Sequence, residues 1–122
     1  MPLAPHLVLG ESGENLAAVA LRREGYSIIA TRYRVRLGEI DIIALDGRCL
    51  VFVEVKTRTG RRCGCAADAV TPRKQRKIVA VAAEYLARHR TGAAACRFDV
   101  VTVDLDERGP RVTIIRNAFD AA

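Results

Sequence analysis

The sequence predicts an α/β fold: one small mixed β-sheet with helices packed on it, in the order α-β-β-β-α-β-β. Three observations predict it. Two segments carry apolar residues at helical spacing. Five strand-length runs are rich in Val, Ile, Phe and Tyr. Only the connection between the third and fourth strands is long enough for a parallel crossover. At 122 residues, with 50% hydrophobic and 28% charged side chains, the chain has material for one core and a single domain over 1–122. No apolar run approaches the ~20 residues of a membrane-spanning helix. The first ten residues have no basic leader region, so no membrane association is expected and the expected location is cytoplasmic.

The first helix spans about Gly10 to Glu24, with Leu16, Ala17, Ala20 and Leu21 on one face, Ser12 as a candidate cap and Gly25 as the stop. Ser27–Arg34, Glu39–Leu45 and Leu50–Thr57 read as strands. Their connections are short and Asp46-Gly47 suits a hairpin, so the three form an antiparallel meander. After an irregular stretch, Thr71 and Pro72 read as N-cap and first helical residue. Ile78, Val81, Ala82, Tyr85, Leu86 and His89 then keep helical spacing to about Arg90. Arg97–Leu105 and Arg111–Arg116 close the chain as a hairpin. LVFVEV and FDVVTV are the most continuously apolar runs, which places them centrally and parallel, covered on both faces.

Two acids on these strands call for an explanation. Strand alternation puts Leu50, Phe52, Glu54 and Lys56 on one face and Val51, Val53 and Val55 on the other. It likewise puts Glu39 and Asp41 together, with Ile40 and Ile42 opposite. Asp41 can then lie beside Glu54. Two neighbouring carboxylates in a buried strand are costly unless a cation lies between them. A hard divalent ion takes such a pair, with water and a substrate phosphate as further ligands. The plainer reading is a Glu54–Lys56 ion pair on a solvated face. The four cysteines do not make a zinc set, because Cys63-Gly64-Cys65 lacks paired CxxC spacing.

The net charge is +6, and its source is local. Between Lys56 and Lys77 the eight cations Lys56, Arg58, Arg61, Arg62, Arg73, Lys74, Arg76 and Lys77 are opposed by Asp68 alone, whereas the other 100 residues net −1. Four of these cations crowd a helix N-terminus, which prefers anions. Taken alone, a solvated basic helix end and a bound phosphate account for them equally, and the candidate metal site on the preceding strand favours the phosphate backbone. Arg34 belongs to a second cationic string, Arg32-Tyr33-Arg34-Val35-Arg36. With only six aromatic residues, backbone contact is expected over base stacking.

Gly13-Glu14, Gly25-Tyr26, Gly38-Glu39-Ile40-Asp41, the run Phe52 to Arg58 (FVEVKTR), Lys74, Arg97-Phe98-Asp99-Val100-Val101 and Asn117-Ala118-Phe119 together resemble the bacterial UPF0102, or YraN, family. The resemblance spans nearly the whole chain. That family is similar to the PD-(D/E)xK nucleases, particularly the Holliday-junction resolvases. The resemblance implies a restriction endonuclease-like fold and metal-dependent hydrolysis of DNA, branched DNA included, with one Mg²⁺ or Mn²⁺ ion and no small-molecule cofactor. It implies that Asp41, Glu54 and Lys56 are catalytic. Asp41, Glu54, the Val55 carbonyl and Glu14 would be the metal ligands. Glu39 is then either a supporting or a surface residue. Lys56 is expected to position water and offset charge, since its neighbours pull its pKa in opposite directions. Arg58, Arg61, Arg62, Arg73, Lys74, Lys77 and Arg34 are the expected DNA contacts. Two-fold substrates would call for a homodimer. The alternative is a nucleic-acid-binding or adaptor protein that keeps the fold without turnover. One departure is visible: Arg32-Tyr33-Arg34 stands where the family usually has Asn-Tyr-Arg.

Overall fold

In the computed structural model, which describes residues 11–60 and 69–121, the order is α1 (Glu11–Arg23), β1 (Ser27–Val35), β2 (Gly38–Asp46), β3 (Cys49–Thr59), α2 (Pro72–Arg88), β4 (Ala95–Asp106) and β5 (Gly109–Phe119). The strands form one five-stranded sheet in the order β1-β2-β3-β4-β5. β1, β2 and β3 are an antiparallel meander, β3 and β4 run parallel, and β5 returns antiparallel to β4. The order, the crossover through α2 and the interior placement of β3 and β4 match the sequence reading.

Alternation along β3 divides the core. Leu50 and Phe52 face α2, where they meet Ile78, Val81, Ala82 and Tyr85. Val51 and Val53 face the other way, onto Ala17 and Leu21 of α1. All four β3 side chains are fully buried, each contributing about 1.5–3 kcal/mol relative to exposure. Both helix ends follow local chemistry. At the end of α1, Gly25 takes φ +91°. The Tyr26 N–H donates to the Leu21 carbonyl and the Gly25 N–H to the Arg22 carbonyl, a paired C-terminal cap. Thr71 caps α2 by accepting from the Lys74 N–H at 3.2 Å, with Pro72 as the first helical residue. Ser12, expected as the cap of α1, lies inside its first turn.

One expectation fails. Ile40 packs with the α2 side and Ile42 with the α1 side, so they do not share a face. The strand changes face at Asp41. Across the β1–β2 ladder, Thr31 pairs with Ile42 and Tyr33 with Ile40, which sets Arg32 opposite Asp41. Arg32 has φ +52°, a left-handed conformation that Asn tolerates better than most residues. The kink therefore passes through both strands, and a period-two pattern could not reveal it.

The Arg97, Asp99, Tyr26 and Asn117 positions resolve into one network around buried Asp99 and Tyr26. Asp99 is fully buried. It accepts from the Tyr26 hydroxyl at 2.7 Å, from Arg97 Nε at 2.9 Å and from the Asn117 N–H at 2.9 Å. Arg97 also reaches Asp46, beside the β2–β3 hairpin, at 2.7 Å. Hydrogen bonding to Asp99 holds the Arg97 pKa above the ordinary guanidinium range. Burial, reinforced by Asp99, raises that of Tyr26. These residues tie α1, β2, β4 and β5 together.

Candidate metal centre

The β2–β3 ladder runs from Asp46–Cys49 to Ile42–Val53 and goes no further. Beyond it the strands part, and the Val55 N–H donates to Asp41 Oδ2 at 2.8 Å. A side chain thus replaces a strand carbonyl, which fixes the Asp41 carboxylate in the gap. The N–H and C=O of one strand residue point to the same edge, so the Val55 carbonyl faces that gap too.

Glu14 reaches the gap from α1. The helix can lie that close because residue 13 is glycine: a Cβ there would collide with Thr57 Oγ1. Glu14, Glu39 and Asp41 each offer a carboxylate oxygen, and these oxygens lie within 4.8 Å of one another. Glu54 is not one of these three. It approaches from the α2 face, 9% exposed, and comes within hydrogen-bonding reach of Asp41. Asp41 is therefore common to both sets. Lys56 lies two residues along β3 from Glu54, exposed at the mouth of the gap.

The electrostatics fit this crowding. Burial first, then the adjacent Asp41, pushes the Glu54 pKa up to about 8, and the opposing pull of Lys74 and Lys56 does not cancel that rise. An acid held away from its charged form by another acid is one that a cation would return to it. Glu14, Glu39 and Asp41, with Glu54 next to Asp41, offer oxygen donors alone, which suit Mg²⁺ or Mn²⁺ and not a thiolate-seeking metal.

Three cations sit on the rim of the acids. Arg32 pairs with Glu14 at 3.0 Å, Arg34 with Glu39 at 2.9 Å and Lys74 with Glu54 at 3.8 Å. Arg34 and Lys74, named from sequence as DNA contacts, thus adjoin the acidic site. Arg73 and Lys77 are exposed on the first turns of α2. Arg58 forms a two-pronged ion pair with Asp104, at 2.8 and 3.1 Å. Arg61, Arg62, Cys63, Cys65 and Asp68 lie outside the described residues. The sequence reading gave Glu39 as a supporting or a surface residue, and Glu39 lies with Glu14 and Asp41; it missed the Arg32–Glu14 pair and Thr102. Thr102 pairs with Lys56 in the β3–β4 register, and its buried hydroxyl has no hydrogen-bond partner among the described residues. Alternation along β4 could have put Thr102 on the Lys56 face.

Comparison with known proteins identifies the family. The family model described as Uncharacterised protein family UPF0102 matches residues 13–103. A UPF0102 protein of Symbiobacterium thermophilum is 53% identical over 114 residues, covering 93% of this chain and 97% of its own. One of Dehalococcoides mccartyi is 48% identical over 110 residues, covering 90% and 91%. One of Alkalilimnicola ehrlichii is 46% identical over 119 residues, covering 97% and 91%. The matched span contains Glu14, Glu39, Asp41, Glu54, Lys56 and Lys74 together, and the chain belongs to the UPF0102 family.

Proposed function

We propose that the protein is a metal-dependent nuclease acting on DNA, with Mg²⁺ or Mn²⁺ held by Asp41, Glu14, Glu54 and the Val55 carbonyl, and with Glu39 as a further oxygen donor. The observation that carries this reading is the meeting of Glu14, Glu39 and Asp41 within 4.8 Å, with buried Glu54 reaching Asp41. Four acids from α1, β2 and β3 converge there, three of them paired with rim cations and Asp41 with the Val55 N–H.

When bound, the ion polarises the scissile phosphate and lowers the pKa of a water. The residues of the chain do the rest. Asp41, fixed by the Val55 N–H, sets the position of the site. Lys56 at the mouth holds the attacking water and offsets the charge that builds on the phosphoryl oxygens. Water oxygen bonds to phosphorus and loses its proton to solvent, the bond to the leaving sugar oxygen breaks, and that oxygen takes up a proton from solvent. The exposed cations Arg73 and Lys77 of α2 take backbone phosphates on either side.

The test is a cleavage panel of branched and linear DNA with Mg²⁺ and Mn²⁺, run beside Asp41→Asn, Glu54→Ala and Lys56→Ala. Expected are loss of activity in EDTA, near-complete loss in the two acid variants, and a roughly 10²–10³-fold fall in Lys56→Ala. Cleavage that persists in EDTA or in Asp41→Asn would overturn the reading. The rim ion pairs favour a second reading, a DNA-binding protein without turnover. It predicts DNA binding with no cleavage of any substrate in the panel.

A further inference from the structure

We propose that a divalent cation entering the acidic site releases Arg32 and Arg34 from their carboxylates and turns them toward the DNA backbone, so that metal and DNA reinforce each other's binding. This inference rests on the metal-site reading above.

The rim cations and the acids differ in where they sit. The side chains of Arg32 and Arg34 are 52% and 76% exposed, against 26% and 29% for Glu14 and Glu39. The acids line the gap and the guanidiniums lie over it. Exposed ion pairs of this kind contribute little to stability, so a doubly charged ion within reach of the same oxygens displaces them readily. The displaced guanidiniums stay at the site. Arg32 is anchored directly opposite Asp41 in the β1–β2 ladder, and Arg34 pairs with Glu39 two positions on. Arg34 directs Nε and a terminal nitrogen at one Glu39 oxygen, at 3.1 and 2.9 Å, and Arg32 directs Nε at Glu14; guanidinium N–H groups that serve a carboxylate oxygen serve a phosphate oxygen equally. Lys74, 3.8 Å from Glu54, sits across the gap and adds a third, looser contact. Without metal, the acids hold these cations and also repel the phosphates. With metal, both effects reverse at once. Linkage then requires that DNA tighten the metal by the same factor as the metal tightens DNA.

Each phosphate neutralised steepens the dependence of log K on log salt by about 0.9 on duplex DNA. Binding of a fluorescein-labelled DNA duplex is followed by anisotropy across a salt series, in EDTA and in Ca²⁺, with Ca²⁺ binding measured separately by calorimetry. The wild-type slope is expected to steepen in Ca²⁺ by up to about two. The Arg32→Asn/Arg34→Gln double variant is expected to keep Ca²⁺ binding and lose the steepening, and Arg34→Gln alone to lose about half of it. Asp41→Asn reports the effect of Ca²⁺ acting away from the site, which is subtracted. Asn at position 32 suits the left-handed backbone, and thermal melts verify that each variant is folded. If Ca²⁺ binds but the wild-type slope is unchanged, or the double variant steepens as much as wild type, the release of the arginines is refuted and the metal site stands. If neither Ca²⁺ nor Mn²⁺ binds the wild-type protein, the metal-site reading itself is refuted.

Discussion

Between its ordinary pKa of 4.5 and the value of about 8 set by burial and Asp41, Glu54 carries a proton in the folded protein that the unfolded chain has already lost. The folded state therefore binds more protons across that window, and stability falls as pH rises from about 5 to about 8. In EDTA the expected loss is on the order of 3 kcal/mol, measured by urea denaturation at several pH values. Saturating Mn²⁺ is expected to flatten the profile, because it favours the ionised carboxylate. Glu54→Gln is expected to flatten it in EDTA too, which separates Glu54 from other titrating groups. At this scale the sequence was informative where a residue type was out of place: Asp41 and Glu54 stood out as acids in apolar strands. It offered Glu39 as a supporting or a surface residue, and it was silent on the pairing of Arg32 with Glu14, because a left-handed Arg carries no sequence signal of its own.

Among the elements, α1 bears most directly on the site, because Gly13 lets it rest against Thr57 of β3 and so delivers Glu14. Ala at position 13 would raise helix propensity by about 1 kcal/mol, yet its methyl would drive the helix off the strand. Gly13→Ala is expected to cost about 1–3 kcal/mol in net stability. It is also expected to weaken Mn²⁺ binding about tenfold, comparable to disturbing a ligand's support. Adding Thr57→Ala removes the colliding hydroxyl and is expected to restore most of both, a coupling that calorimetry and thermal melting can read. The elements themselves were well marked. Thr71-Pro72 and Gly25 are end signals with a physical basis, and both ends fall where they point. Strand limits were read short by up to three residues, because ladder hydrogen bonds continue into polar sequence that periodicity does not count.

For the molecule as a whole, the fold was legible because β1 to β3 are joined by tight turns and only one crossover was available. The buried Asp99 network was not legible, since its members are 26, 46, 97, 99 and 117 and no local pattern links them. Asp99→Asn would leave Arg97 without its buried counter-charge, and a loss of about 3–5 kcal/mol in unfolding free energy is expected. That loss should leave Mn²⁺ affinity nearly unchanged, because Asp99 points to the α1 side and contacts none of the carboxylates at the gap. The parallel β3–β4 pairing also has a consequence in time. Arg58 and Asp104, partners in that ladder, are 46 residues apart, whereas the meander closes through short turns. Loop closure makes distant pairing slow, so the meander is expected to assemble first and β4 to dock after the main barrier. In stopped-flow measurements, Ile43→Val in β2 should then mainly slow refolding. Asp99→Asn in β4 should instead mainly accelerate unfolding, so that losing the last strand to arrive becomes the step that sets the lifetime of the native protein.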